Sequence, residues 1–168
     1  VNLAVGLSNR VRSGVILVDL DLYCGDVGVH LDLAGNPTMS DLMPYLPDVE
    51  DGTIRGFIAR HRPSGLDVLL SPAQPELSEF VTVEHVRAML TRLGTMYRYI
   101  VLDTGGATSD IVRDCMERAW RIVLVTTADA ASLKSAKVTL EVLRRLGIDV
   151  DRKVMLVLNR AHASSPVG

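Results

Sequence analysis

Five short apolar runs constrain the fold of this chain more than any other feature of its sequence. They are rich in valine, isoleucine and leucine, and they cover residues 15–18, 68–70, 99–102, 122–125 and 154–158. The apolar residues follow one another without alternating polar positions. Each run therefore predicts a β-strand that is buried on both faces, as is usual in parallel sheets.

Amphipathic helical patterns lie before and between these runs, over residues 3–11, 83–93, 111–119 and 133–146. Gly14 and Gly147 predict the ends of the first and last of these helices, and Ser109 or Asp110 predicts the start of the third. Alternating strands and helices predict an α/β fold, in which a doubly wound and mostly parallel sheet carries helices on both faces.

The 168 residues contain no internal repeat and no low-complexity linker, so we expect a single domain over residues 1–168. A composition of 48% hydrophobic and 23% charged residues is typical of a globular domain. Residues 35–65 show no clear period. Their four prolines predict short helices or turns.

Charge and cysteine content argue against several classes of function. A net charge of −2 and a pI near 6.1 predict no general attraction to nucleic acid or to anionic lipid. No apolar run approaches the roughly 20 residues of a transmembrane helix. Cys24 and Cys115 are far apart in the sequence, so they are predicted to be free thiols. The histidines lack metal-binding spacing.

Polar residues follow every apolar run. In open α/β sheets, ligands bind beyond the carboxyl ends of the strands, so these positions form the candidate site. One such residue alone is usually a turn former or a helix cap. Their joint position on one edge favours a binding or catalytic site. They are Asp19, Asp21, Ser71, Asp103, Thr104, Thr126, Thr127 and Asn159.

Two of these segments carry recognisable chemistry. YIVLDTGG has the form of a Walker B strand, whose aspartate, here Asp103, reaches a nucleotide-bound magnesium ion, usually through water. Gly105 and Gly106 would let the backbone approach a terminal phosphate. VILVDLDL places Asp19 and Asp21 two positions apart, so both carboxylates point the same way on an extended chain and could bind a metal or orient a water. Taken alone, this pair also fits a solvated acidic turn.

Taken together, these segments resemble the MinD/ParA superfamily of P-loop ATPases, and most of all its pilus-assembly branch, the CpaE/TadZ proteins. The resemblance spans residues 1–160. The matching segments, in family order, are NLAVGLSNR, VILVDLDLYCGDVGVHLDL, SGLDVLLSPAQPE, YRYIVLDTGGATSD, RIVLVTTADAASLKSAKVTLEVLRRLGI and VMLVLNR.

The resemblance implies a role for each acidic candidate. Asp19 and Asp21 would be the catalytic acidic pair, in which a carboxylate helps to orient the attacking water and responds to the γ-phosphate. Asp103 would be the Walker B aspartate, bound to Mg²⁺ through water. The cofactors implied are therefore ATP and Mg²⁺.

The resemblance also implies nucleotide contacts outside the acidic residues. Thr104, Gly105 and Gly106 would form the loop beneath the γ-phosphate. Asn159 would bind the adenine edge, with Arg160 as its neighbour in the same loop. Many relatives carry Pro-Pro where this chain has its two glycines, so a more flexible loop is expected here.

In this family, NLA lies on the helix that follows the deviant Walker A loop, so the resemblance implies that this loop precedes Val1. Lys134, Lys137 and Lys153 follow no glycine-rich loop and offer no substitute. The sequence therefore predicts a P-loop NTPase-like fold that is incomplete at both ends. It also predicts no measurable ATP affinity for the chain as given.

Two functions follow from the resemblance. The first is an ATPase, homodimeric in the intact protein, that positions or assembles pilus or secretion machinery. The alternative is a degenerate ATPase fold that does not hydrolyse ATP and serves as a localisation scaffold. Either is expected in the cytoplasm, with recruitment to a cell pole or a membrane-associated complex. A receiver-like domain with Asp103 as phosphoacceptor is less favoured, because Asp19 and Asp103 lie too far apart in the sequence.

Overall fold

The computed structural model describes residues 1–11, 13–46, 50–105 and 109–161. The chain divides into two compact units, of which the first covers Val1–Val112 and the second begins at Arg113. The single domain expected over residues 1–168 stays a prediction.

The first unit is built on a four-stranded sheet with the strand order β2-β3-β1-β4. Its strands are β1 (Val15–Asp19), β2 (Ala59–His61), β3 (Leu66–Leu69) and β4 (Tyr99–Asp103). β1 is parallel to β3 and to β4, while β2 is antiparallel to β3. The sheet is therefore mostly parallel, and β1 is hydrogen-bonded on both sides.

Helices of different lengths precede, connect or follow these strands along the chain. They are α1 (Asn2–Val11), α2 (Val27–His30), α3 (Met39–Leu42), a 3-10 turn (Met43–Tyr45), α4 (Asp51–Arg55), α5 (Pro75–Ser78), α6 (Val83–Met96) and α7 (Asp110–Arg118). Gly14 takes the positive φ of +73° that the turn between α1 and β1 requires. Thr82 caps α6, because its hydroxyl accepts a hydrogen bond from the His85 nitrogen at 3.2 Å.

The core of the first unit lies between α1 and the sheet. Val15 and Leu17 of β1 and Leu66 and Val68 of β3 pack with Ala4 of α1, and each is at most 2% exposed. The alternate residues of β1 are equally buried on the opposite face. Burial of each leucine contributes roughly 1.5–3 kcal/mol, so this packing holds the carboxyl end of β1 in place.

The second unit contains β5 (Ile122–Thr127), β6 (Val154–Asn159), α8 (Ala130–Arg145) and α9 (Val150–Lys153). β5 and β6 form a parallel pair, and α8 packs on β5. Leu143, Ile148 and Val150 form a small core. Gly147, with φ of +77°, follows α8 as predicted.

All five predicted strands are present, and the four helical patterns correspond to α1, α6, α7 and α8. The α/β fold with a mostly parallel sheet is therefore confirmed. The prediction missed β2, which lies within residues 35–65. Ala59, Arg60 and His61 carry no β-branched side chain, and this short strand exists through its antiparallel pairing with β3.

Burial on both faces was predicted for every strand. This is wrong for β5 and β6, and β4 is only half-buried. In β5, Val123 is 38% and Val125 is 57% exposed. Met155 and Leu156 are both 54% exposed. Among the described residues, β6 is hydrogen-bonded only to β5, and α8 packs on β5 instead. Within the same ranges, none of the helices has the length and apolar character needed to cross a membrane.

Candidate functional site

The candidate site begins with two aspartates at the carboxyl edge of the first-unit sheet. Asp19 ends β1 and Asp103 ends β4, and the two residues are paired in the parallel register. The Leu20 nitrogen donates a 2.7 Å hydrogen bond to the Asp103 carbonyl oxygen, so the pairing continues past the end of β1. Strand register alone thus places both aspartates at one edge.

Asp19 is a buried carboxylate with two hydrogen-bond donors, and only 1% of the residue is exposed. The Ser71 hydroxyl donates to Oδ2 at 3.1 Å, and the Asp21 nitrogen donates to Oδ1 at 3.1 Å. Burial raises the pKa of Asp19 from 3.8 to about 6, although both hydrogen bonds and the Val27 backbone nitrogen oppose this shift. The nearby Asp103 charge adds to the increase. Asp19 therefore titrates much closer to neutral pH than an exposed aspartate does.

Asp21 lies on the loop after β1 and faces the loop after β4. Its Oδ1 accepts a hydrogen bond from the Cys24 nitrogen at 3.2 Å. A β-carbon on Gly105 would lie 2.7 Å from Asp21 Cγ, so only glycine leaves room for this carboxylate. A cavity of about 180 Å³ beside these two residues is also lined by Tyr23 and Glu79.

Asp103 lies at the amino end of α1. The Val1 nitrogen is 3.3 Å from Asp103 Oδ2, and 42% of the Asp103 side chain is exposed. The first turn of a helix favours anions, because its backbone N–H groups are unpaired and the helix dipole is positive there. The edge therefore combines an accessible carboxylate with a helix terminus suited to phosphate.

The donor set at this edge fits Mg²⁺. This ion prefers oxygen ligands, keeps several of its waters, and is usually held by one or two carboxylates together with substrate phosphates. Asp103 offers such a carboxylate. No group of three or more His, Cys, Asp or Glu side chains that could hold a metal occurs within the described ranges.

The remaining predicted residues of this loop are only partly described. Thr104 and Gly105 follow β4 directly and are half-buried. Gly106 lies outside the described residues.

Asn159 and Arg160 belong to the second unit. Asn159 ends β6, and its Oδ1 accepts a hydrogen bond from the Arg160 nitrogen at 2.9 Å. Arg160 has a positive φ of 52°, so the chain turns sharply after the strand. The Asn159 side chain is exposed and free of the sheet, as binding to a base edge would require.

The polar residues at the end of β5 and directly after it form hydrogen bonds at the start of α8. The Thr127 hydroxyl donates to Asp129 Oδ2 at 2.5 Å, and Asp129 Oδ1 accepts from the Ser132 nitrogen at 2.9 Å. Asp129 is therefore the N-cap of α8. Thr126 and Thr127 also line a cavity of about 400 Å³ between β5 and α8.

Gly25 and the contact of Ser71 with Asp19 were missed as parts of the site. A β-carbon on Gly25 would lie 1.8 Å from Ser71 Oγ and 2.6 Å from Asp19 Oδ2. No local pattern marks Gly25, since a glycine in a loop is common for many reasons. Ser71 could be placed at a strand end from the sequence, but its bond to Asp19 could not.

Carboxylates and a helix terminus at the carboxyl edge of a parallel sheet define the class of α/β proteins that bind ligands beyond their strand ends. No protein-family model matches the chain. Among curated proteins, it is similar to the septum site-determining protein MinD of Thermotoga maritima, with 22% identity over 161 residues. The match covers 95% of this chain and 57% of that protein, so the chain spans little more than half of its relative.

Solved structures show the same similarity. A ParA family ATPase from Chlorobium tepidum has a TM-score of 0.84 and 26% identity, over 98% of this chain and 68% of that one. The septum site-determining protein MinD from Pyrococcus horikoshii, complexed with Mg-ADP, has a TM-score of 0.74 and 20% identity, over 97% of this chain and 64% of that one. The chain therefore has the α/β fold of the ParA and MinD P-loop ATPases.

Proposed function

We propose that this protein binds ATP with Mg²⁺ at the carboxyl edge of the first-unit sheet and hydrolyses it, as a ParA/MinD-like ATPase. One observation carries the proposal: the parallel register pairs Asp19 with Asp103 at the carboxyl edge of the sheet. The helix terminus suits phosphate and the carboxylates suit Mg²⁺. The Mg-ADP complex of the similar MinD structure supports the same pair of ligands.

The residues after β4 would hold the phosphate end of the nucleotide. Asp103 would bind Mg²⁺ through water, and Thr104, Gly105 and Gly106 would bring the backbone close to the terminal phosphate. Bound Mg²⁺ would neutralise part of the negative charge that develops on the phosphates during hydrolysis.

The other candidate residues would act on the water and the base. Asp21 would orient the attacking water, and Asp19 would hold the segment that carries Asp21, which its hydrogen bond to the Asp21 nitrogen supports. Asn159 would bind the adenine edge, with Arg160 beside it.

The wider role follows from the CpaE/TadZ-like segments of the sequence. We expect a homodimer that uses its ATP cycle to position or assemble pilus or secretion machinery. It would act in the cytoplasm, with recruitment to a cell pole or a membrane-associated complex.

A scaffold that does not hydrolyse ATP is a second candidate, and the contact between Asp21 and Gly105 favours it. Relatives often carry Pro-Pro in this loop, whereas here the Asp21 carboxylate occupies the space that a larger residue would fill. A carboxylate held against the loop is less free to orient a water.

The test measures Mg-ATP binding by calorimetry and phosphate release with the full-length protein expressed from its gene. Asp103→Asn should weaken Mg-ATP binding by roughly tenfold or more, because it removes a charge-assisted contact. Asp32→Asn is the matched control, since Asp32 is exposed and lies outside the site. Absence of binding by the wild type, or equal binding by both variants, would refute the proposal. Binding without phosphate release would favour the scaffold.

A further inference from the structure

We infer that Ser71 is a positioning residue of this site, which acts through Asp19 on the segment that carries Asp21. The inference rests on the proposed function for its catalytic consequence, but not for its geometry. Ser71 follows β3, and the parallel register that pairs Val18 with Leu69 brings it beside the end of β1. The serine is 8% exposed and its hydroxyl donates to Asp19 Oδ2 at 3.1 Å.

The two oxygens of Asp19 have different donors. Ser71 occupies Oδ2, and the Asp21 nitrogen occupies Oδ1. A carboxylate held from both sides cannot rotate without losing one bond, so Ser71 fixes the plane in which Oδ1 meets the Asp21 backbone. Asp21 Oδ1 in turn accepts from the Cys24 nitrogen, which closes the turn. Hydrogen bonds thus run from Ser71 through Asp19 to the backbone nitrogen of Asp21, the residue that carries the second carboxylate.

Gly25 packs against this pair so closely that no side chain fits at its position. Its ideal β-carbon position lies 1.8 Å from Ser71 Oγ and 2.7 Å from Ser71 Cβ. Ser71→Ala would remove the donor to Oδ2 and leave the Asp21 nitrogen on Oδ1, so the plane of the Asp19 carboxylate would be less restrained.

The catalytic consequence concerns the chemical step more than nucleotide binding. Ser71 is buried and would touch neither the nucleotide nor the attacking water. A small displacement of a group that orients a reactant can lower a rate by roughly 100-fold while leaving substrate affinity unchanged. The predicted signature of Ser71 is therefore an effect on kcat without an equal effect on KM.

The first test needs no nucleotide. Backbone amide NMR spectra of the chain are compared for Ser71→Ala and for Ser8→Ala. Ser8 is the matched control, since it is 2% exposed and its hydroxyl donates one hydrogen bond, to the Ser64 carbonyl oxygen at 3.0 Å. We expect the amide resonances of Asp21 and Cys24 to shift in Ser71→Ala and to stay in place in Ser8→Ala. Unshifted resonances in Ser71→Ala would overturn the inference.

The second test measures steady-state ATP hydrolysis by the full-length protein. Ser71→Ala should lower kcat by roughly 10- to 100-fold with KM for Mg-ATP within about twofold, whereas Ser8→Ala should change neither. An equal loss in both variants, or an effect confined to KM, contradicts the positioning role. If Ser71→Ala fails to fold, Ser71→Cys fills the site with a larger atom that is a weaker donor, and the same comparisons apply to it. A wild type without hydrolysis would refute the proposed ATPase, and the NMR comparison would then decide the inference alone.

Discussion

Asp21 and Gly105 lie so close together that a β-carbon on the glycine would stand 2.7 Å from the Asp21 carboxyl carbon. This contact joins the loop after β1 to the loop after β4 within the first unit. Each loop carries part of the proposed site, so the identity of one residue limits the position of the other.

Gly105→Ala should displace the Asp21 carboxylate without a large loss of stability. The end of an aspartate side chain can move, so we expect the free energy of unfolding to fall by about 1 kcal/mol or less. The carboxyl ¹³C resonance of Asp21 should shift. Gly6→Ala, in α1 with no atom within 4 Å of the new β-carbon, is the control for a glycine replacement as such. An unchanged Asp21 resonance in Gly105→Ala would show that the contact does not position this side chain.

Gly25→Ala should be more damaging, because its obstacles cannot move as easily. The new β-carbon would meet the Ser71 β-carbon at 2.7 Å as well as the Asp19 carboxylate. Overpacking of this kind costs about 1–3 kcal/mol, measurable by urea unfolding. Gly94→Ala in α6 has open space around it, and alanine there should stabilise the helix by up to about 1 kcal/mol. Equal stability of Gly25→Ala and wild type would mean that the loop around Gly25 moves to accept the new β-carbon without loss of stability.

Much of this framework could be predicted from the sequence, because its signals are local. Continuous β-branched runs marked five strands, and the rule that ligands bind beyond the strand ends pointed to Asp19, Asp21 and Asp103. The structure brings these three residues to the same edge. Their catalytic and magnesium-binding roles stay predictions, as do those of the loop residues and of Asn159 and Arg160.

The features that were missed depend on pairing between distant segments. Ser71 and Asp19 are 52 positions apart, and only the register of β1 with β3 joins them. β2 forms because it pairs with β3. The exposure of β6 depends on how many strands and helices pack against it, and a run of valines and leucines does not predict this number.

Asp129→Ala should destabilise the first turn of α8 at neutral pH. The hydrogen bond from the Thr127 hydroxyl, followed by the one from the Ser132 nitrogen, lowers the pKa of Asp129 from 3.8 to about 2. The charged form therefore contributes stability above pH 4, and this contribution is lost as the pH falls towards 2. Amide exchange at the start of α8 should be faster in Asp129→Ala than in Asp129→Asn, which keeps a capping oxygen. Equal protection in the two variants would show that the cap does not stabilise this turn.

Asp19→Asn should become more stable relative to wild type as the pH rises. The pKa of Asp19 is raised from 3.8 to about 6 by burial, so between these values the folded state holds a proton that the unfolded state has released. The contribution of Asp19 to stability is therefore complete below pH 4 and falls by about 3 kcal/mol in all as the pH rises through 6. The side chain of asparagine does not ionise in this pH range, so the variant does not lose stability in this way. The unfolding free energy of Asp19→Asn relative to wild type should consequently increase between pH 4 and 6. Asp32→Asn, in an exposed position, is the control for replacing an aspartate by asparagine. Urea unfolding at pH 4, 5, 6 and 7.5 measures both differences, and a flat or falling difference for Asp19→Asn would mean that this carboxyl group ionises as easily in the folded chain as in the unfolded one.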